Sequence, residues 1–213
     1  MIDIHTHLLA GVDDGTASRT ESLQLLDAYA DAGFTHIAST PHLFHPTVKT
    51  RVDLIREEFL FLRGEAKSRG IELVLGSEIY VSDPRPKPGI PMFKTFQLVE
   101  FNTDIRPMYL SDMVFHLNLL GIDVIIAHID RYSWFSVKDP MIQRVREMGV
   151  YFQVNIESLE SQKGKTFLEN GFADFIASDN HGSQRKAVDL RTFSKYPDIM
   201  KRSMNILMGS EQH

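Results

Sequence analysis

Residues 2–7, IDIHTH, place two histidines at the end of a short alternation of apolar and polar residues. Such alternation is typical of a β-strand with one buried face. His5 and His7 are two positions apart, so on a strand both side chains project to the same side. The segment therefore predicts a strand that carries two potential metal ligands at its carboxyl end.

Six further segments repeat the arrangement of an apolar strand followed by a connecting element. Runs rich in apolar residues predict strands within 34–40, 71–81, 96–101, 122–129, 150–156 and 173–179. Between most of these segments the apolar residues have the spacing of a helix. In the first such helix, Ser18 is the predicted N-cap and Gly33 the predicted C-terminal stop. Residues 84–91, PRPKPGIP, predict an ordered loop between two strands. About seven units of this kind favour a parallel sheet covered by helices, either a barrel or an open doubly wound sheet.

The composition limits the classes of function. The 213 residues carry a formal net charge of −5 and contain no cysteine. The negative net charge argues against nucleic acid or an anionic membrane as the main partner. A chain without cysteine has no disulfide, no metal site with thiolate ligands and no cysteine nucleophile. No apolar run is long enough to insert into a membrane, and no secretory signal is visible. We expect a cytoplasmic protein with one α/β domain over residues 1–213.

Side chains able to bind metal ions follow the predicted strands along the chain. In a parallel barrel the carboxyl ends of all strands meet on one face, where active sites are built. One histidine at a strand end is more often structural, but nine histidines and carboxylates on one face have no structural explanation. They predict a metal site, and they are His5, His7, Asp14, His42, Glu78, Glu100, His128, Asp179 and His181. Four histidines without such a context are expected to be structural, namely His36, His45, His116 and His213.

Nine ligands exceed the needs of one ion, since about four to six ligands per ion are usual. Two or three ions that share a bridging carboxylate fit the number better. Imidazole and carboxylate donors without thiolate suit manganese, iron or zinc, and clustered divalent ions favour hydrolysis. Arg131 and Arg185 follow two of the histidines closely, and planar guanidinium groups match phosphate oxygens.

The motifs DIHTH, TPH, GSEIY, LVEF, AHIDRY and ASDNH, in this order, resemble the PHP (polymerase and histidinol phosphatase) superfamily. GVDDG, QVNIESL and HIDRY are most similar to its manganese-dependent protein tyrosine phosphatases of capsule and exopolysaccharide assembly, the CpsB/CapC type. The resemblance extends from residue 1 to about residue 185. It implies a distorted (β/α)7 barrel (PHP fold) with three metal ions, manganese first among them. The implied substrate is phosphotyrosine on a partner tyrosine kinase.

The resemblance also implies roles for individual residues. Arg131 and Arg185 would neutralise the charge that develops on the phosphoryl group. Asp130 stands where many relatives have glutamate. One ion would be held by His5, His7, Glu78 and Asp179, a second by Glu78, Glu100 and His128, and a third by Asp14, His42 and His181.

Two other functions stay open at the level of the sequence. One is a small-molecule phosphatase such as a histidinol-phosphate phosphatase. Asp14 in VDDG favours the tyrosine phosphatase branch, because a histidine there would favour the small-molecule branch. The other is a non-catalytic, metal-containing regulatory binding module. The full ligand set argues against it, since a decayed site usually loses some of its ligands.

Overall fold

The computed structural model describes residues 1–209. Within this range no helix is long and apolar enough to span a membrane. The strands are β1 (Ile2–Thr6), β2 (His36–Ser39), β3 (His42–Leu43), β4 (Glu72–Leu75), β5 (Glu78–Tyr80), β6 (Phe96–Glu100), β7 (Asp123–Ile126), β8 (Tyr151–Asn155) and β9 (Phe175–Ala177). The α-helices are α1 (Arg19–Asp31), α2 (Val52–Ser68), α3 (Leu110–Leu119), α4 (Pro140–Glu147), α5 (Gln162–Glu169) and α6 (Pro197–Gly209).

All pairs between these strands are parallel, in the orders β1-β2-β4 and β3-β5-β6-β7-β8-β9. The predicted strand 71–81 is interrupted at Gly76–Ser77, and the strand predicted over 34–40 continues as β3 after a break at Thr40–Pro41. Proline has no N–H to donate to a ladder, which accounts for the break at Pro41. Taken with their continuations, the strands occupy seven sequential positions. The predicted parallel α/β architecture is confirmed.

The two ends of this series of strands are joined by backbone hydrogen bonds. The His7 N–H donates to the Asn180 carbonyl at 2.9 Å, and the Asp179 N–H donates to the His5 carbonyl at 2.9 Å. These bonds connect the end of β1 with the residues that follow β9. They bring the first and last ligand-bearing segments of the chain side by side.

The helix α1 begins and ends where its capping residues predict. The Ser18 side chain accepts a hydrogen bond from the Glu21 N–H, and Gly33 follows the helix with φ +87°. The Glu21 carboxylate, however, accepts from the Ser183 N–H at 2.5 Å and from the Ala17 N–H at 2.8 Å. Glu21 therefore ties α1 to the segment after β9, next to the predicted site.

The connection between β5 and β6 contains no helix. Residues 84–91 form an ordered loop, as predicted, which lies against the outward-facing residues of these strands. The Ile90 N–H donates to Ser77 Oγ at 2.7 Å, and the Gly89 N–H donates to Gln97 Oε1 at 3.0 Å. A Cβ atom on Gly89 would lie 2.2 Å from Ser77 Oγ, so only glycine allows this close approach.

Candidate metal centre

The structure brings the nine predicted ligand residues together at the carboxyl end of the strands. Eight of their side chains are at most 8% exposed, and Asp14 is 39% exposed. Burying so many titratable groups is costly unless they are paired or bind cations. The cluster is therefore a candidate functional site rather than part of an ordinary core.

The Glu78 carboxylate lies at the centre of the cluster. Its Oε2 atom is 3.1 Å from His5 Nε2, 3.1 Å from His42 Nδ1 and 3.6 Å from His7 Nε2. Its Oε1 atom is 2.8 Å from His128 Nε2. Burial alone would raise the pKa of Glu78, but the charges of the imidazoles outweigh it and hold this pKa well below its usual range. One ionised carboxylate thus faces four imidazoles, and it would be suited to hold cations together with them.

Asp179 and His128 occupy strained turns directly after β9 and β7. Asp179 Oδ1 is 3.4 Å from His5 Nε2 and 3.5 Å from His7 Nε2. The backbone φ angle is +51° at Asp179 and +32° at His128. Left-handed backbone at residues other than glycine costs about 1–3 kcal/mol each and is concentrated at functional sites. The left-handed backbone turns the chain at the two residues whose side chains enter the cluster.

Asp14 lies on the loop after β1 and contacts the cluster at His42 and His181. Its Oδ1 atom is 3.5 Å from His42 Nε2 and 3.4 Å from His181 Nε2. Burial, and then the charge of the stacked His7 ring, lower the pKa of His181 to about 4. His181 is therefore neutral at physiological pH and can offer a nitrogen lone pair to a cation.

The fit to metal ions rests on polar atoms that the protein leaves unpaired. Within residues 1–209, five buried atoms of the ligand residues have no hydrogen-bond partner, namely Asp14 Oδ1, His42 Nδ1, Glu100 Oε1, His128 Nδ1 and His181 Nε2. His42 Nδ1 lies 3.0 Å from Glu100 Oε1 without forming a hydrogen bond to it. Unpaired buried polar atoms are rare in native proteins and call for an explanation. Divalent cations, for which imidazole nitrogen and carboxylate oxygen are ordinary ligands, would supply the missing partners.

The potential ligand atoms fall into three groups whose members lie within 4.8 Å of one another. The groups share histidines, which the distribution implied by the resemblance does not. His42 joins the Glu78 and Glu100 group as well as the Asp14 group, and His128 contacts Glu78 from outside the groups. The groups are His7–Asp14–His42–His181, His5–His7–Asp179 and His42–Glu78–Glu100.

Two residues outside the predicted set orient the histidines. Asp13 Oδ2 lies 2.7 Å from His7 Nδ1, and Gln153 Oε1 lies 3.2 Å from His5 Nδ1. Gln153 Oε1 also accepts the His128 N–H at 2.7 Å. A carboxylate or carbonyl oxygen at Nδ1 keeps the proton there and leaves Nε2 available, as is usual for metal-binding histidines. The signals that could have found these residues are the position of Asp13 beside Asp14 and the inward register of Gln153 on β8.

The two predicted arginines lie at the edge of the cluster. The Arg131 guanidinium donates to Asp179 Oδ2. Arg185 lies 3.2 Å from the same oxygen and 3.2 Å from Asp14 Oδ2. Their side chains are 36% and 38% exposed, so both contact buried carboxylates while facing solvent. This is the position from which a guanidinium group can reach an anion that enters the site.

His45, which was expected to be structural, lies beside the cluster. Its Nε2 atom lies 3.7 Å from Glu100 Oε1, and its ring centroid lies 5.0 Å from that of His42. Spacing along strands could not reveal this position, because His45 lies on the loop after β3. His36 pairs with Glu72 at 3.5 Å, near the amino ends of β2 and β4, and His116 lies in α3. His213 is outside the described residues.

Solved structures resemble this fold. One, from work on YwqE from Bacillus subtilis and CpsB from Streptococcus pneumoniae, described as unique metal-dependent tyrosine phosphatases, has a TM-score of 0.79 and 22% identity. The alignment covers 98% of this chain and 94% of that one. A histidinol phosphate phosphatase from Lactococcus lactis has a TM-score of 0.54 at 14% identity, over 95% and 93% of the two chains. At these identities the similarity concerns the fold.

The sequence has curated relatives at higher identity. Tyrosine-protein phosphatase CpsB of Streptococcus agalactiae is 30% identical over 201 residues, covering 85% of this chain and 83% of the relative. CpsB of Streptococcus pneumoniae is 31% identical over 201 residues, with the same coverage. The family model for capsular polysaccharide synthesis, CpsB/CapC, matches residues 1–205. With nearly its full length matched by that model, the chain belongs to the CpsB/CapC family.

Proposed function

We propose that this chain is a metal-dependent protein tyrosine phosphatase that acts in capsular or exopolysaccharide synthesis. The observation that carries the proposal is the buried cluster of histidines and carboxylates, which has unpaired ligand atoms and two arginines at its edge. The relatives at 30% and 31% identity, which are named tyrosine-protein phosphatases, support the same class of reaction.

The nine ligand residues would hold three ions, with Mn²⁺ as the proposed metal and iron or zinc as the other suitable ones. The three groups of ligand atoms support this number. When bound, such ions lower the pKa of water and stabilise negative charge on phosphoryl oxygens. The chain itself supplies the ionised Glu78 between the groups and holds the imidazole rings in place through Asp13 and Gln153.

Arg131 and Arg185 are the proposed catalytic residues of the chain. Their guanidinium groups would bind the phosphoryl oxygens of the substrate and balance the charge that develops as the phosphorus–oxygen bond to the leaving group breaks. Both groups already contact Asp179, which fixes their position at the edge of the cluster before substrate arrives. Pre-positioned charges of this kind need little reorganisation during the reaction.

Phosphotyrosine on a partner tyrosine kinase is the proposed substrate. Two findings support this substrate. The relatives are named tyrosine-protein phosphatases, and the family model is that of capsular polysaccharide synthesis. A cytoplasmic location stays a prediction.

A comparison of substrates tests the proposal. With one manganese-loaded preparation, kcat/KM is measured on a tyrosine-phosphorylated, tyrosine-rich peptide, on the matching phosphoserine peptide and on histidinol phosphate. We expect a clear preference for the phosphotyrosine peptide. Preference for histidinol phosphate would move the protein into small-molecule metabolism, and no turnover of any phosphomonoester with all ligands intact would support the regulatory module instead.

A further inference from the structure

His45 has a defined position beside the metal-ligand cluster. It follows β3 on a loop in which Phe44 adopts a left-handed backbone with φ +62°. The imidazole packs edge-on against Tyr80, with 5.2 Å between ring centroids, and against the His42 ring at 5.0 Å. Its side chain is 18% exposed. His45 is thus held by two aromatic contacts beside the cluster and stays partly exposed.

The hydrogen bonds of His45 determine which ring nitrogen carries the proton. His45 Nδ1 accepts the Val48 N–H at 2.9 Å and the Thr47 N–H at 3.2 Å. A nitrogen that accepts backbone N–H groups uses its lone pair and carries no hydrogen, so the hydrogen of the neutral ring is on Nε2. Since a metal ligand needs a free lone pair, His45 Nε2 is a donor and not a tenth ligand atom.

The Nε2–H group of His45 has no close acceptor on the cluster. The nearest carboxylate oxygen is Glu100 Oε1 at 3.7 Å, which is too long for a hydrogen bond. The two arginines approach the cluster at Asp179, whereas His45 approaches it at Glu100. A donor without a hydrogen bond to the cluster therefore lies at a second carboxylate of the same site.

We propose that His45 is a further substrate-binding residue, whose Nε2–H donates a hydrogen bond to a phosphoryl oxygen of the phosphomonoester. The inference rests on the proposed phosphatase function. The backbone bonds to Nδ1 and the contact with Tyr80 keep the donor oriented before the substrate binds. His45 thereby supplies a neutral donor at Glu100 that complements the charged donors at Asp179.

The test compares His45→Ala and His45→Gln with the wild type, and uses His36→Gln as a matched control at the other end of the strands. Each manganese-loaded protein is analysed for bound metal, for the Kd of inorganic phosphate by calorimetry, and for kcat/KM on the phosphotyrosine peptide. We expect His45→Ala to weaken phosphate binding by about tenfold or more, since a hydrogen bond to a charged group is lost. Bound metal should stay unchanged, and His45→Gln should recover part of the affinity through its amide N–H.

Two results would overturn the role of His45. Wild-type phosphate affinity in His45→Ala at full metal content would show that the donor does not reach the anion. Loss of metal from both variants would make His45 a ligand. Phosphate binding is measured without turnover, so failure of the phosphatase proposal would appear separately, as absence of peptide hydrolysis by the wild type.

Discussion

Arg131 and Asp179 form a contact that links the exposed edge of the site with its buried ligands. The guanidinium group donates to Oδ2 of the carboxylate, whereas Oδ1 faces the Nε2 atoms of His5 and His7. One oxygen of the Asp179 carboxylate therefore binds an arginine side chain, and the other faces the candidate metal centre. Arg185 contacts the same Oδ2 atom at 3.2 Å, so the outer oxygen retains a partner if Arg131 is removed.

This contact predicts how Arg131→Ala will behave. Turnover of the phosphotyrosine peptide should fall by about a hundredfold, the usual effect of removing one charge-stabilising donor from an active site. Bound metal should be unchanged, because Arg185 still neutralises Asp179. Steady-state kinetics together with metal analysis of the purified variant checks both parts. If the variant loses its metal, Arg131 is a structural partner of Asp179.

Replacement of the central carboxylate should remove the metal itself. Glu78→Gln keeps the shape of the side chain but replaces a carboxylate that faces four imidazoles. We expect metal content to drop and kcat to fall by about a thousandfold, because ions in such sites supply several kcal/mol. The exposed Glu72, at the amino end of β4, provides the control Glu72→Gln, which should behave as the wild type. A metal-loaded, fully active Glu78→Gln protein would rule out the assignment.

The metal-free site should release protons when it binds metal. Burial lowers the pKa values of His5 and His7, but the neighbouring carboxylates, Glu78 and Asp179 for His5 and Asp13 for His7, outweigh it, and both pKa values are raised. Protons held there must leave before the rings can bind cations. The apparent affinity for Mn²⁺ should therefore rise with increasing pH. An indicator dye in weakly buffered solution measures the release, and a pH-independent affinity without released protons would contradict the account.

Lys163 on α5 is expected to hold Arg131 in place. Its Nζ atom donates to the carbonyl oxygens of Asp130 at 2.8 Å and Tyr132 at 2.6 Å, on either side of Arg131. Lys163→Met should lower kcat on the phosphotyrosine peptide by about tenfold or more, since loss of a hydrogen bond from a charged group costs about 1.5 kcal/mol or more. Bound metal should not change. Lys165→Met, an exposed position on the same helix, is the control. Equal kinetics for the two variants would show that Lys163 does not position the arginine.

Most of the ligand cluster could be predicted from the sequence because its residues lie at the ends of apolar strands. His5, Glu78 and His128 occupy such positions, and parallel strands bring their ends to one face. Strand spacing carries no information on loops. The position of His45 depends on the left-handed backbone of Phe44 and on backbone bonds to its own ring, which no pattern of the sequence reveals.

The adjacent Asp13 and Asp14 show a second limit of prediction from the sequence. Their sequence context is almost the same, yet Asp14 faces His42 and His181, whereas Asp13 binds His7 from behind. Gly15, which follows them, lies so close to β1 that an added Cβ would be 2.1 Å from the His7 carbonyl oxygen. Which of the two aspartates faces the ligand cluster depends on the course of this loop, which the sequence pattern does not reveal.

The most direct test is a metal titration of the stripped protein. Mn²⁺ is added in steps, and bound ions per chain and hydrolysis of the phosphotyrosine peptide are measured on the same samples. The account predicts no turnover without metal, a rise in turnover as the site fills, and a plateau near three bound ions. Full turnover by the metal-free protein, or turnover that does not follow the bound metal, would contradict it.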